Sequence, residues 1–147
     1  MISRVKIKIE SIIDNLDESG LTDGQSEKNT TLVDGVYRYT GDGARISYKE
    51  KVEGCEIENE ILVLSGSVTV RRQGAIISDM CFREGESHSS IYQIPPYRFD
   101  CEVLARRVSV ELRPTDGKIN LIYNMKIGGA EKSAIMRIWI SKATNQA

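Results

Sequence analysis

The stretch 5–10, VKIKIE, alternates strictly between apolar and charged residues, and the stretch 136–140, MRIWI, resumes the alternation near the other end of the chain. Successive side chains of a β-strand point to opposite faces, so a period of two predicts a strand with one apolar and one solvated face. The pattern recurs between these stretches, and no segment has a convincing helical period. The sequence therefore predicts an all-β protein.

Short, glycine-bearing turns separate ten segments with this alternation. Turns such as 73–74, 116–117 and 128–129 supply the positive φ angles that hairpins need, so consecutive strands should pair as antiparallel neighbours. A meander removes its free edges most simply by closing, which predicts a single antiparallel up-and-down barrel of about 8–10 strands, calycin-like or lipocalin-like in shape. The predicted strands are 2–13, 31–40, 44–51, 56–64, 67–73, 76–84, 87–94, 98–112, 118–127 and 132–141.

Three places interrupt this pattern. Residues 14–30 are polar, acidic and glycine-bearing, which predicts a mobile loop within the single domain 1–147. The inward parity changes near Arg106 and Arg107, which predicts a one-residue bulge, with a tight turn as the alternative. Pro95 and Pro96 remove two amide donors, so the connection there should be a corner rather than part of a ladder.

The apolar parity of each strand predicts which side chains face the interior. The predicted core residues are Val5, Ile7, Ile9, Val68, Val70, Met80, Phe82, Leu121, Tyr123, Met125, Met136, Ile138 and Ile140.

Composition excludes several classes of protein. With 20 basic and 21 acidic residues the net charge is −1, which lacks the basic field of a nucleic-acid-binding protein. Cys55, Cys81 and Cys101 are odd in number and widely spaced, which favours free thiols over a disulfide framework or zinc site. The sequence shows no signal peptide and no apolar run long enough for a membrane helix, so we expect a cytoplasmic protein without a membrane anchor, cofactor or metal.

A series of short motifs in the middle and end of the chain occurs in a characteristic order. These motifs are 68–74, 80–85, His88, Ser90, Tyr92, 95–99 and 121–125. With them the chain resembles the YwiB-like family of small bacterial proteins, over a span from about Gly35 to Ile140. The resemblance implies a calycin-type β-barrel, related in shape to lipocalins and fatty-acid-binding proteins. It names no function, because that family is a domain of unknown function.

Polar residues with inward parity are the candidates for a binding site. Arg72, Glu84, His88, Tyr48 and Tyr92 share that parity and should converge at one mouth of the barrel. One interpretation is structural, with Arg72 and Glu84 neutralising each other at the rim. The other is functional: Arg72, Tyr48 and Tyr92 hold an anionic head group of a small ligand. The ligand's apolar body would then lie among Met80, Phe82, Met125 and Met136.

His88 is the only histidine, so multi-histidine metal sites are excluded. The segment 85–89, GESHS, lacks the last glycine of a nucleophile elbow, and no helix follows it. Ser87 and Ser89 also point away from His88 on a strand, which disfavours general-base activation. An axial haem ligand is an alternative, although a structural histidine is the simpler interpretation.

The outer face offers one candidate for a protein partner. Trp139 has outward parity, so the sheet around it is a candidate homodimer interface, with partial cover by the 14–30 segment as the alternative. Tyr37 and Tyr39 could form a stacking platform for bases, but tyrosines are also simply good strand formers.

These features predict a non-enzymatic barrel that binds a small, partly apolar or anionic molecule. The alternative is a filled barrel that acts as an interaction or assembly module through its outer face. A third interpretation is an enzyme with His88 as acid or base. The volume of the interior separates the first two.

Overall fold

The structure, a computed structural model, describes residues 2–16 and 22–143, and gives only the backbone for 22–25. Within these residues the chain forms strands joined by short turns. The strands are β1 (Ile2–Leu16), β2 (Thr22–Tyr39), β3 (Ala44–Val52), β4 (Cys55–Leu64), β5 (Ser67–Gly74), β6 (Ser78–Phe82), β7 (Ser87–Ile94), β8 (Tyr97–Leu112), β9 (Gly117–Ile127) and β10 (Ala130–Lys142).

All ten strands belong to one antiparallel sheet in the order β6-β5-β4-β3-β2-β1-β10-β9-β8-β7. Consecutive strands pair with each other except β6 and β7, which form the two edges of the sheet, and β1 pairs with β10 to join the two halves. The outermost strands meet through one bridge between Ile77 and Gln93, whose reciprocal N···O distances are 2.9 and 2.8 Å. The predicted up-and-down barrel is confirmed as a nearly closed one.

The predicted loop at 14–30 is wrong for most of its length. Residues 14–16 belong to β1 and 22–30 to β2, and the two strands pair from Ile2 opposite Arg38 to Leu16 opposite Thr22. The prediction relied on the polar composition of this segment. Hydrogen bonds between paired strands, however, join backbone groups and do not require apolar side chains. Residues 17–21 lie outside the described residues.

The other two irregularities agree with expectation. The register between β8 and β9 shifts between Ala105 and Arg107, which confirms the bulge. Pro95 and Pro96, joined by a cis peptide bond, form the tight connection from β7 to β8.

The apolar core lies on the inner face of the sheet, as the alternation predicts. All the predicted core residues are buried or pack against the buried cluster. Phe82 and Tyr123 pack with their ring centroids 4.8 Å apart and their planes at 61°, an edge-to-face contact between β6 and β9.

Gly35 marks the point where β2 leaves β3. The β2–β3 ladder runs from Gly35 opposite Tyr48 to Tyr39 opposite Ala44, and no residue of β2 before Gly35 pairs with β3. A Cβ atom at Gly35 would lie 2.5 Å from Ile7 Cδ1 and 2.6 Å from the Ser47 carbonyl oxygen. Only glycine therefore allows the three strands to approach this closely.

Gly35→Ala should destabilise the barrel by about 1–3 kcal/mol, because the added methyl group must displace backbone as well as the Ile7 side chain. Urea unfolding followed by circular dichroism measures the change. Val36→Ala is the control, because Val36 is the next residue of β2 and is 45% exposed, so its truncation should cost about 1 kcal/mol or less. An unchanged stability for Gly35→Ala would show that the branch point is not tightly packed.

Candidate functional site

The turns divide the barrel into two ends. The turns after β3, β5, β7 and β9 lie at one end, here called the cavity end. The turns after β2, β4, β6 and β8 lie at the opposite end, here called the far end. Side chains of inward parity therefore meet only if they also lie near the same end of their strands.

A cavity of about 720 Å³ occupies the interior toward the cavity end. Its volume falls within the usual range for small-molecule sites, roughly 300–1,000 Å³. Met80, Phe82, Met125 and Met136 all line it, as predicted for the body of a ligand. The remaining apolar lining includes Ile9, Ile13, Ile61, Val70, Ile94, Phe99, Ile127 and Ile138.

Arg72 forms the centre of a polar cluster on one wall of the cavity. Its Nη2 donates to Glu50 Oε1 at 2.8 Å, and its Nε donates to Asn59 Oδ1 at 3.1 Å. Asn59 Nδ2 donates back to Glu50 Oε1 at 3.1 Å and to the Ile57 carbonyl oxygen at 3.3 Å. Each member of the cluster is therefore held by at least two partners, and no described residue bonds to Arg72 Nη1.

Three tyrosines complete the polar lining. Tyr48, Tyr92 and Tyr123 line the cavity, and no described residue hydrogen-bonds to their hydroxyl groups. Burial raises the pKa of Tyr48, while Arg72 opposes the shift and Glu50 adds to it. Burial also raises the pKa of Tyr123, to about 12. The hydroxyl groups of Tyr48 and Tyr123 therefore stay protonated near neutral pH and can donate a hydrogen bond to a bound molecule.

The raised tyrosine pKa values predict a loss of stability in alkali. The folded state holds the Tyr123 proton more tightly than the unfolded chain, so this contribution is full below about pH 10 and is lost as the pH rises toward about 12. We expect the unfolding free energy to fall over that range. Tyr123→Phe should flatten the slope without abolishing it, because the pKa values of Tyr37 and Tyr48 are raised too. Equal slopes for both proteins would contradict the assignment.

Glu84 and His88 are not part of this arrangement, and the predicted Arg72–Glu84 pair is wrong. Arg72 lies opposite Ser78 at the start of β6. Glu84 lies in the turn after β6, six residues beyond Ser78 (84 − 78), which is roughly 20 Å further along the strand direction. Glu84 Oε1 instead accepts a hydrogen bond from the Val108 amide at 3.1 Å, at the far end. His88 follows the β6–β7 turn and does not line the cavity. Glu84 and His88 therefore have the same inward parity as Arg72 but lie near the far end of the barrel.

Sequence reasoning did not assign several polar residues to the site, and four of them are described here. Glu50, Ser78 and Lys132 line the cavity, and Asn59 is buried beside Arg72. Each has the parity of buried neighbours on its own strand and lies near the cavity end. Counting positions from the turns, in addition to parity, would have found them.

Two further depressions lie outside the cavity. One of about 490 Å³ at the far end is lined by Tyr39, Val63, Leu64, Glu84 and Leu112, among others. Another of about 700 Å³ lies on the outer surface where β2 leaves β3, and Tyr48 contributes to both it and the cavity.

Trp139 lies on the outer face between two lysines. Lys8 on β1 and Lys118 on β9 are its neighbours in register, with their Nζ atoms 5.2 and 5.6 Å from the ring centroid. The ring is half-buried, so lysine side chains cover part of it. Tyr37, by contrast, is fully buried and donates to the Arg113 carbonyl oxygen at 2.8 Å, so its ring is not on an exposed stacking platform.

The described residues contain no helix that could cross a membrane. Within 2–16 and 22–143, histidine, cysteine and acidic side chains form no group of three placed to hold a metal ion.

The three cysteines are free and differ in exposure, which predicts an order of reaction. Cys55 is exposed, Cys81 is half-buried and Cys101 is buried. Burial raises the pKa of Cys101, against a smaller lowering by a hydrogen bond with Ser90, so its reactive thiolate is scarce. Alkylation of the folded protein should label Cys55 first and Cys101 last. Denaturation without reductant should then expose three labelling sites, and a protected pair would contradict the free-thiol assignment.

The described residues form a ten-stranded antiparallel β-barrel, and the volume of its internal cavity is typical of a small-molecule binding site. A family model described as Domain of unknown function (DUF1934) matches residues 7–138, so the chain belongs to that family. A search of curated proteins finds no match. The crystal structure of ywiB protein from Bacillus subtilis is similar in fold, with a TM-score of 0.84 and 21% identity over 97% of this chain and 94% of that chain. The resemblance to the YwiB-like family is confirmed.

Proposed function

We propose that this barrel binds a small, partly apolar molecule with an anionic head group and performs no chemistry on it. The observation that carries the proposal is the 720 Å³ cavity, whose lining is largely apolar with a few convergent polar groups. Ligand sites in proteins have this composition because apolar contact supplies affinity and a few polar groups set orientation. The calycin-like shape of the barrel supports the same proposal.

The head group would lie beside Arg72, Tyr48 and Tyr92. The unbonded Nη1 of Arg72 and the tyrosine hydroxyl groups supply donors, while Glu50 and Asn59 hold the guanidinium in place. Glu50 also neutralises Arg72, which limits the attraction for an anion. Lys132, on the inward face of β10, contributes a second positive charge to the lining. With one carboxylate and two cations, the charged side chains of this lining favour a negatively charged head group.

The rival interpretations have less support. A filled barrel does not agree with an interior of this volume. An enzyme centred on His88 would need a carboxylate partner beside the cavity, and no described residue forms a hydrogen bond or ion pair with His88. The unpaired cysteines and the resemblance to bacterial proteins support the further proposal that the barrel acts in the cytoplasm of a bacterial cell.

Native mass spectrometry of the full chain, purified gently from its own cells, tests this function. We expect one small molecule per chain, released when the protein is denatured. The emptied and refolded chain should bind one anilinonaphthalene sulfonate, an apolar ring system with an anionic group, in a saturable manner. The absence of both the co-purified molecule and saturable probe binding would contradict the proposal.

A further inference from the structure

The strand β2 has a long free edge. It pairs with β1 on one side between Thr22 and Arg38, with one irregularity opposite Asp14 and Leu16, but its pairing with β3 begins only at Gly35. From Thr22 to Asp34 the other side of β2 therefore has no strand partner among the described residues. An edge of this length presents a row of amide and carbonyl groups that can pair with another strand.

One large apolar side chain on the free edge is exposed to solvent. Leu32 is 74% exposed, the highest value among the exposed large hydrophobic side chains of the described residues. It lies near the middle of the segment 28–34, with Lys28 and Asp34 on the same outward parity on either side. A strand added to this edge would cover Leu32 and satisfy the backbone groups together.

We propose that a second copy of this chain pairs with that edge, β2 against β2 in antiparallel register, across a two-fold axis at Thr31. Residues directly opposite each other in one sheet share a face, so only registers that pair residues of equal parity are allowed. An axis at Thr31 sets Lys28 of each copy opposite Asp34 of the other. An axis at Lys28 would instead set the two Lys28 ammonium groups together, which is unfavourable.

This register stays within the free edge and uses its last seven residues, 28–34. It pairs 28–34 of one copy with 34–28 of the other and ends at Gly35, where β3 takes over the edge. Leu32 then lies opposite Thr30 of the second copy and loses much of its exposure. The inference does not depend on the proposed ligand, since pairing of the edges can be tested in the empty protein.

Exchanging the charges at Lys28 and Asp34 tests the proposal. Analytical ultracentrifugation of the full chain measures how strongly the copies associate. Lys28 has no ion pair among the described residues, so Lys28→Glu removes no contact within one copy. Lys28→Glu should weaken the dimer about tenfold, because two attractive pairs become repulsive. Asp34 also bonds to Lys6 Nζ at 3.2 Å within one copy, so the rescue variant must exchange that pair as well. Lys28→Glu combined with Asp34→Lys and Lys6→Glu should restore most of the loss, whereas Trp139→Ser should leave association unchanged. A monomeric wild-type chain at the highest attainable concentration, a dimer insensitive to Lys28→Glu, or loss of association in Trp139→Ser would overturn the proposal.

A cross-link tests the register separately. Thr31 would face its own counterpart, with Cα atoms about 5 Å apart, a distance that a disulfide can span. In a chain where the exposed Cys55 is replaced by serine, Thr31→Cys should form a covalent dimer under mild oxidation. Asn29→Cys should not form this cross-link. Asn29 lies opposite Val33 of the second copy, so the two cysteines would be four residues (33 − 29), or roughly 13 Å, apart along the strands. Equal cross-linking of both variants, or of neither, would overturn the register.

Discussion

Ile138→Ala should lower the free energy of unfolding by about 2–5 kcal/mol, the usual cost of truncating a fully buried aliphatic side chain. Ile138 is 0% exposed at the centre of β10, between Ile9 on β1 and Ile119 on β9. It also lines the cavity, so its truncation removes packing from the wall of an interior that is already incompletely filled. Chemical denaturation of both proteins measures the difference.

Ile135→Ala is the matched control on the same strand. Its side chain has the opposite parity and is half-buried on the outer face, so the same chemical change should cost about 1 kcal/mol or less. If Ile138→Ala cost less than about 1 kcal/mol while Ile135→Ala cost more, the inner and outer faces of the sheet would be assigned the wrong way round.

Arg72→Leu should weaken binding of anilinonaphthalene sulfonate by about tenfold to a hundredfold. Loss of a charge-assisted hydrogen bond costs roughly 1.5–3 kcal/mol, which corresponds to that range of affinity. Arg71→Leu is the control, because Arg71 lies on the outer face and bonds to Asp79 at 3.2 Å. Calorimetry should therefore separate two adjacent arginines by at least tenfold.

Glu50→Gln distinguishes an anion site from a general loss of structure. Arg72→Leu also leaves Glu50 and Asn59 without a partner and can disturb the wall of the cavity. Glutamine at position 50 keeps a hydrogen-bond acceptor for Arg72 and removes the negative charge, so the sulfonate should bind more tightly. Weaker binding to Glu50→Gln, or equal binding to Arg72→Leu and Arg71→Leu, would contradict a head-group site at Arg72.

The sequence was sufficient for the fold because strand parity is a local property. Val5, Ile7 and Ile138 face the core as predicted, and the shift of parity near Arg106 corresponds to a real bulge. The same reasoning failed for 22–30, because this part of β2 is held in the sheet by backbone pairing with β1. Alternation of apolar and polar residues indicates which side chains are buried. Backbone hydrogen bonding between strands leaves no comparable pattern in the sequence.

The site was only half predictable for a related reason. Parity correctly brought Arg72, Tyr48 and Tyr92 to the interior with three methionines. It could not say that Glu84 belongs to the far end, because position along the barrel depends on how far each strand runs from its turn. Asn59 was missed since an asparagine in a run of glutamates and apolar residues has no distinctive pattern, although register places it directly between Tyr48 and Arg72.

The most direct test of the internal site is an NMR titration of methyl-labelled methionine with anilinonaphthalene sulfonate. Met80, Met125 and Met136 line the cavity from three different strands, whereas the indole of Trp139 lies on the outer face. We predict that these three methyl resonances shift together and saturate at one probe per chain while the Trp139 indole resonance stays in place. A shift of the Trp139 resonance without a change in the methionine methyl groups would place binding outside the barrel and contradict the account.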